Sequence, residues 1–342
     1  NGNAIDIYDM FGRLTFEAFT NIAFGVNVNA INVAPKHVLF EKYFDRGFEI
    51  GLLRSFDPFW KAKKTVGQFG YESEIKNIKN YIDRLAVEII KERKKFFENK
   101  VKTKSKNERK SLKFNESAQE RYDLLSMFIE DNPNISDRQL RDITMNFIIA
   151  GRDTTSQMLS WFMYHLTNFA SDMKTIESNI RNEIKTIFGD NTDNITYDDV
   201  NKCNYIEACL LESLRLYPSV PNLVRTAIED IQTPNGYTIR KNDEIMISTY
   251  SIGRSKYIWK DPLTFNPERF LNKKTYDPSV YPAFNLKPRL CLGKHVALME
   301  GKIAIIKLFN KFKTIKCVPK QKMEYIVSAT FQMKNGWKVT LE

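Results

Sequence analysis

Cysteine and histidine are scarce in this sequence: four and three residues among 342. The cysteines, Cys203, Cys209, Cys291 and Cys317, are scattered, with no pair at the close spacing a structural zinc site uses. This argues against zinc and against a disulfide framework, and it fits a reducing compartment. No run of eighteen apolar residues occurs, so no segment is long enough to span a bilayer as a helix. The chain opens on Asn1-Gly2-Asn3, with neither an initiator methionine nor the pattern of a secretory signal. A glycine-rich dinucleotide or flavin motif is also missing, so electrons for any redox chemistry must come from outside.

Positive charge is concentrated in one place. Residues 91–113 hold eleven Lys/Arg against three Glu, which supplies +8 of the formal net charge of +11. A solvated basic loop at about 98–118 between two helices accounts for this run, with contact to anionic lipid or an acidic redox partner as the second reading. The rest of the chain is nearly balanced, and nothing in it resembles a nucleic-acid fold. With 42% apolar residues the chain can bury a core. Its motifs spread from Ala150 to Gly293, which predicts a single domain over 1–342. Apolar periodicity predicts helices near 4–25, 37–50, 70–99, 119–131, 136–167, 171–188, 198–217 and 294–313. Strand signals cluster at the Pro234-Asn235-Gly236 turn, at 244–251 and at a closing hairpin around Asn335-Gly336. The expected fold class is mainly α with small peripheral β-sheets.

One cysteine stands apart from the other three. In Phe284-Asn285-Leu286-Lys287-Pro288-Arg289-Leu290-Cys291-Leu292-Gly293 it lies between an arginine and a glycine, directly before a helical pattern. The unpaired N–H groups of a helix start favour the anionic sulfur that ligates metals. Gly293 lets the chain bend around the sulfur, and Phe284 can keep water from it. The same cysteine read without its context is an inert buried thiol. The segment resembles the haem-binding loop of the cytochrome P-450 superfamily, Phe-x-x-Gly-x-Arg-x-Cys-x-Gly, and the match continues to Ala297. It departs at Lys287, where the family has glycine. A lysine held at the left-handed φ open to glycine would cost on the order of 1 kcal/mol or more, so the loop is expected to be less well ordered.

Three further segments match the same superfamily in order. Ala150-Gly151-Arg152-Asp153-Thr154-Thr155-Ser156 lies inside a long apolar-periodic pattern. Its start is marked by a capping box, Ser136 with Gln139, and a staple, Ile135 with Leu140. By itself the stretch is a polar patch in a long helix; it resembles the oxygen-binding helix motif, whose threonine lies on the distal side of the haem. Glu212-Ser213-Leu214-Arg215 puts two charges on one helical face, ordinarily a solvated pair. Followed by Asn266-Pro267-Glu268-Arg269-Phe270, it resembles the family's buried triad, implying that Glu212, Arg215 and Arg269 hold the core under the haem loop. Between them, residues 218–227 read either as an ordinary edge strand or, by resemblance, as the segment bordering the substrate pocket.

The resemblance implies a cytochrome P-450 fold that the chain enters well inside, as an N-terminally truncated member without membrane anchor, first strands or early haem-contacting helix. It implies haem b with Cys291 as axial thiolate, and Phe284, Arg289, Gly293 and Arg225 around it, the two arginines on the propionates. Thr154, helped by Asp153, would order water and deliver protons; Ala150, Val220, Leu223 and Val224 would line the substrate pocket. The implied activity is insertion of one oxygen atom from O₂ into a C–H bond of a lipophilic substrate. The text Leu159-Ser160-Trp161-Phe162 and Tyr250-Ser251-Ile252-Gly253-Arg254 is most like the eukaryotic fatty-acid ω-hydroxylases. An NADPH-dependent flavoprotein reductase, the membrane surface and the cytosolic face of the endoplasmic reticulum complete the implied setting. The alternatives are a haem-thiolate isomerase or lyase acting on fatty-acid hydroperoxides, against which the retained Thr154 argues, and a non-catalytic truncated remnant.

Overall fold

Helical periodicity and side-chain capping set most of the elements. The computed structural model of the protein describes residues 4–32, 39–67, 70–103, 123–168, 173–271, 277–327 and 329–342. The fold is mainly α with small antiparallel sheets, and it divides into two compact units: Asp9–Asp153, and Asn1–Tyr8 together with Thr154–Glu342.

The first unit holds most of α1 (Ile7–Phe24), then α2 (Leu39–Phe56), α3 (Trp60–Val66), α4 (Tyr71–Thr103), α5 (Leu124–Asp131) and the first half of α6 (Asp137–Asn168). Its core joins Phe16 and Phe24 of α1, Ile89 and Ile90 of α4, Leu125 and Ile129 of α5, and Leu140 and Ile148 of α6. Asp123 caps α5 by accepting from the Ser126 amide at 2.8 Å and pairs with the buried Arg93. At the start of α6 the Gln139 amide donates to Ser136 Oγ (3.3 Å) and the Ser136 amide donates to Gln139 Oε1 (3.1 Å), a reciprocal capping box. Ile135 packs on the cluster that contains Leu140. The α1 helix lies directly on α6. A β-carbon at Gly151 would overlap the Phe19 ring, and Thr15 Oγ1 donates to the Arg152 carbonyl at 2.9 Å.

The second unit contains α7 (Met173–Phe188), α8 (Tyr197–Lys202), α9 (Asn204–Leu216), β2 (Asn222–Thr226), β3 (Ile231–Gln232), β4 (Thr238–Ile239), β5 (Glu244–Ser248), α10 (Thr249–Gly253) and α11 (Glu268–Leu271). A 3₁₀ turn (Pro282–Phe284), α12 (Lys294–Lys311), β6 (Ile315–Cys317), β7 (Tyr325–Val327), β8 (Phe331–Met333) and β9 (Lys338–Leu341) follow, with β1 (Ala4–Asp6) added from the start of the chain. Among the described residues the strand pairings are antiparallel: β1–β9–β6, β2–β5, β3–β4 and β7–β8.

Several elements differ from the sequence reading. Residues 4–6 are a strand, with Ile5 opposite Val339, and the helix starts only at Ile7. Asp6 makes this boundary by accepting from the Tyr8 and Trp337 amides, each at 3.1 Å. The Asn335-Gly336 turn closes no hairpin: β8 pairs with β7 and β9 with β1 and β6. Gly336 has φ +66, and a β-carbon there would overlap the Asp6 carboxylate, so the turn is fitted to β1. The 198–217 pattern is two helices broken at Cys203, because Glu183 of α7 accepts from the Tyr205 and Ile206 amides and starts α9 afresh. The strand at 244–251 stops at Ser248, whose hydroxyl accepts from the Ser251 amide and begins α10. The basic segment assigned to a loop from residue 98 is helical as far as Thr103; residues 104–122 lie outside the described residues.

At the centre of this unit is α9. Glu212 is fully buried and accepts from Arg215 Nε (2.7 Å) and Nη2 (2.8 Å), from the Asn266 amide (2.7 Å) and from Arg269 Nε (3.3 Å). Arg215 spends its other donors on the carbonyls of Gly253, Pro262 (2.7 Å) and Thr264 (3.1 Å). Behind α9, Trp161 stacks on Tyr217 with centroids 4.0 Å apart, and His165 lies 4.8 Å from the Phe265 ring and 5.1 Å from Tyr217.

Two expected outcomes follow from this core. A β-carbon at Gly253 would overlap the Arg215 carbonyl oxygen. Gly253→Ala should therefore cost about 3 kcal/mol or more, read as a lowered denaturation midpoint, whereas Gly51→Ala, with open space at its β-carbon, should not. Burial, helped by Arg254 and Arg215, pushes the His165 imidazole down from 6.5 to about 3. The unfolded chain then binds a proton that the folded chain does not, so this stability is complete above pH 6.5 and is lost as pH falls towards 3. His165→Phe should flatten that acid limb, whose slope is on the order of 1 kcal/mol per pH unit, in urea titrations at successive pH values.

Candidate functional site

The Cys291 loop is built from a short closure and one strained residue. The Cys291 amide donates to the Phe284 carbonyl at 2.8 Å and the Arg289 amide to the Leu286 carbonyl at 2.8 Å, which folds the six intervening positions back on the 3₁₀ turn. Asn285 sits at φ 62, ψ −171, a region normally left to glycine. Its Oδ1 accepts from its neighbour's amide at Leu286 (3.0 Å) and from Arg225 Nη2 (3.1 Å), and these bonds hold the conformation. Lys287, expected to carry the positive φ, does not: the left-handed residue of this loop is Asn285, so the substitution of glycine by lysine carries no backbone penalty of that kind. Gly293 caps α12 at φ −83, and a β-carbon there would come to 4.0 Å from Cys291 Sγ. The Lys294 ammonium lies 5.4 Å over the Phe284 ring.

Cys291 is exposed, and Leu290 and Leu292 on either side of it are 48% and 83% exposed, with Val296 one turn along α12 also open. A thiol framed by solvent-facing apolar side chains is an unusual surface. Arg289 is exposed and Arg225 is tied to the loop through Asn285, so two guanidinium groups accompany the sulfur. A soft sulfur donor, an apolar frame and two cations fit a flat, largely apolar, metal-bearing group with anionic edges, which is what haem is. The other cysteines are different in kind. Burial pushes the Cys203 thiol up to about 12 and Cys209 well above its ordinary value, so neither supplies a thiolate. Burial pushes the Cys317 thiol up as well. Glu300 on α12 has its carboxyl pushed up to about 8 by burial and is largely protonated at neutral pH.

The remaining predicted residues fall into three groups. Glu212, Arg215 and Arg269 are brought together as described, and Tyr281, just before the cysteine loop, donates its hydroxyl to the Leu211 carbonyl at 2.8 Å and hangs the loop from α9. Val220 lies on the turn after α9, and Leu223 and Val224 on β2, opposite Ile247 and Met246 of β5. Arg225 follows them on the same strand, which is how β2 meets the cysteine loop. Thr154 is in the middle of α6, where its carbonyl accepts from Ser219 Oγ at 2.7 Å. Ala150 and Asp153 lie on the part of α6 that belongs to the first unit, where Asp153 Oδ1 accepts from the adjacent Arg152 at 2.9 Å with both side chains buried. Sequence reasoning missed Asn285 and Ser219. Asparagine's tolerance of positive φ marked the first; nothing local marked the second.

The family model described as Cytochrome P450 matches residues 1–335. Cytochrome P450 86B1 of Arabidopsis thaliana is 33% identical over 362 residues, covering 100% of this chain and 61% of that protein. Cytochrome P450 704B1 of the same plant is 30% identical, covering 98% of the chain and 69% of that protein. Alkane hydroxylase MAH1, also of Arabidopsis thaliana, is 30% identical with 98% and 65% covered. The chain thus spans roughly two thirds of the length of the relatives it matches. Matched by the family model over nearly its whole length, this chain belongs to the cytochrome P450 family of haem-thiolate iron proteins.

Proposed function

We propose that the chain carries the haem-binding and proton-delivering part of a monooxygenase acting on a lipophilic substrate, a fatty acid being the favoured class. The observation that carries the reading is Cys291: an exposed thiol in an apolar frame before α12, with Arg225 tied into the same loop. That the family model runs across both units supports reading residues 1–342 as one domain. Similarity to an alkane hydroxylase supports an aliphatic substrate.

Cys291 Sγ would hold the haem iron, with Phe284 and the flanking leucines excluding water and Arg225 and Arg289 meeting the propionates. Haem in this site supplies activation of O₂, one atom entering a C–H bond and the other leaving as water, with two electrons from an NADPH-dependent flavoprotein reductase. Thr154, helped by Asp153 on the preceding residue, would hold an ordered water at its hydroxyl and pass protons inward. Val220, Leu223 and Val224 would border the substrate, and their apolar character suits an acyl chain. The Glu212–Arg215–Arg269 network would fix the floor on which the loop rests. The endoplasmic reticulum membrane is the proposed setting of the whole protein; among the described residues no helix is long and apolar enough to cross a membrane.

Cys291→Ser should abolish the thiolate-type spectrum of the reduced, CO-treated protein, while Cys203→Ala and Cys317→Ser keep it. An unchanged spectrum in Cys291→Ser would sink the assignment. Thr154→Ala should retain haem and substrate binding but divert NADPH-derived electrons to peroxide, lowering product formed per NADPH roughly tenfold. Fully coupled turnover in that variant would remove Thr154 from proton delivery.

A further inference from the structure

A carbonyl inside an α-helix already accepts the amide four residues on, and its second lone pair is normally idle. On α6 two such carbonyls in the second unit receive a second donor from the α9 region. Ser219 Oγ donates to the Thr154 carbonyl at 2.7 Å, and Ser213 Oγ donates to the Met158 carbonyl at 3.2 Å. The Ser219 contact is part of a closed circuit. The carbonyl of Ser219 accepts from the Phe331 amide at 3.0 Å, and the carbonyl of Phe331 accepts from Trp161 Nε1 at 2.9 Å. Trp161 is seven residues beyond Thr154, two turns along the same face and about 10 Å away along the axis. Three hydrogen bonds therefore run from Thr154 through Ser219 and Phe331 back to α6. The residues that link Thr154 back to α6 are buried: Ser219 is 7% exposed, Phe331 2% and Trp161 fully enclosed. Ring stacking of Trp161 on Tyr217 and on Phe331, at 4.0 and 5.3 Å, stiffens the far end.

The near end leads into the substrate-facing segment. Immediately after Ser219, the Val220 carbonyl accepts from Thr249 Oγ1 at 2.6 Å and the Pro221 carbonyl from the Tyr250 amide at 3.4 Å. Two residues later β2 begins, with Leu223 and Val224. One serine thus joins the backbone of the distal threonine to the turn whose next residues border the substrate.

We propose that Ser219 is a positioning residue for Thr154, locking the Val220–Val224 segment to the backbone of the proton-delivering threonine so that the substrate wall and the proton donor keep one register. The proposal rests on the proton-delivery reading of Thr154. Its physical basis is that proton transfer tolerates little displacement of the donor, while hydrophobic contact with an acyl chain tolerates more. Loss of the Ser219 hydroxyl should therefore affect the coupling of electrons to product before it affects substrate affinity.

The test compares Ser219→Ala, Ser219→Thr and Ser213→Ala in the haem-loaded protein with its reductase and a saturated fatty acid. Ser213→Ala removes an equivalent hydroxyl bond from the same helix, one turn beyond Thr154, and serves as the structural control. Ser219→Ala should keep its thiolate–CO spectrum and an almost unchanged KM, yet form about threefold less product per NADPH, and Ser219→Thr should restore the ratio. Ser213→Ala should stay coupled. Amide exchange provides a readout that needs no turnover. Ser219→Ala should speed exchange at Met158, whose amide pairs with the Thr154 carbonyl, by about tenfold, whereas Ser213→Ala should act at Phe162. Equal coupling in Ser219→Ala and the parent protein, or equal uncoupling in the two alanine variants, would overturn the proposal. Should Ser219→Thr fail to fold, the contrast between the two alanine variants decides. Should Thr154→Ala itself stay coupled, the proton-delivery reading falls, and exchange at Met158 still reports whether the lock exists.

Discussion

One buried carboxylate organises the second unit. Glu212 has no access to solvent, so its charge must be neutralised inside, and Arg215 three residues later, Arg269 and the Asn266 amide do this together. The Arg215 guanidinium is equally enclosed and has donors to spare, which it places on the carbonyls of Gly253, Pro262 and Thr264. A network of this kind adds little net stability over apolar packing, since two ions are taken out of water to make it. Breaking one partner leaves the other charged and buried, at a cost of about 3–5 kcal/mol. Its effect is to fix where the chain between Gly253 and Arg269 lies relative to α9.

Both halves of the proposed chemistry are suspended from that helix. On one side Tyr281 reaches the Leu211 carbonyl and carries the loop that presents Cys291. Beyond the helix's C-terminal end, the turn at Ser219 reaches the Thr154 carbonyl and continues into β2. The two branches meet again where Arg225 of β2 donates to Asn285 of the cysteine loop. An α9 that shifted would move the proposed ligand, pocket segment and proton donor together. Close approaches depend on absent side chains at Gly253, against the Arg215 carbonyl, and at Gly336, against Asp6.

Features of this protein that depend on neighbours within a turn or two were legible in the sequence. The capping box at Ser136 and Gln139, the face shared by Glu212 and Arg215, and the cysteine placed before a helix all follow from spacing. The mainly α fold class follows from periodicity. Lys287 shows the limit of matching by motif: the loop takes its left-handed residue two positions earlier, at Asn285, where a side-chain amide can brace it.

What the sequence by itself determined, then, is most of the longer helices, the capped start at Ser136, and which cysteine stands in a ligand's context. Tertiary structure alone decided that residues 4–6 are a strand, that the Asn335-Gly336 turn joins two different sheets, and that Ser219 faces Thr154. The physical reason is the reach of the interactions. Caps and helical faces act over three or four residues, whereas Ser219 meets Thr154 across 65 residues, Arg215 meets Gly253 across 38, and Asp6 meets Trp337 across 331. Such partners share no local pattern, and only the packing of whole elements brings a hydroxyl or a carboxylate to the backbone group it satisfies.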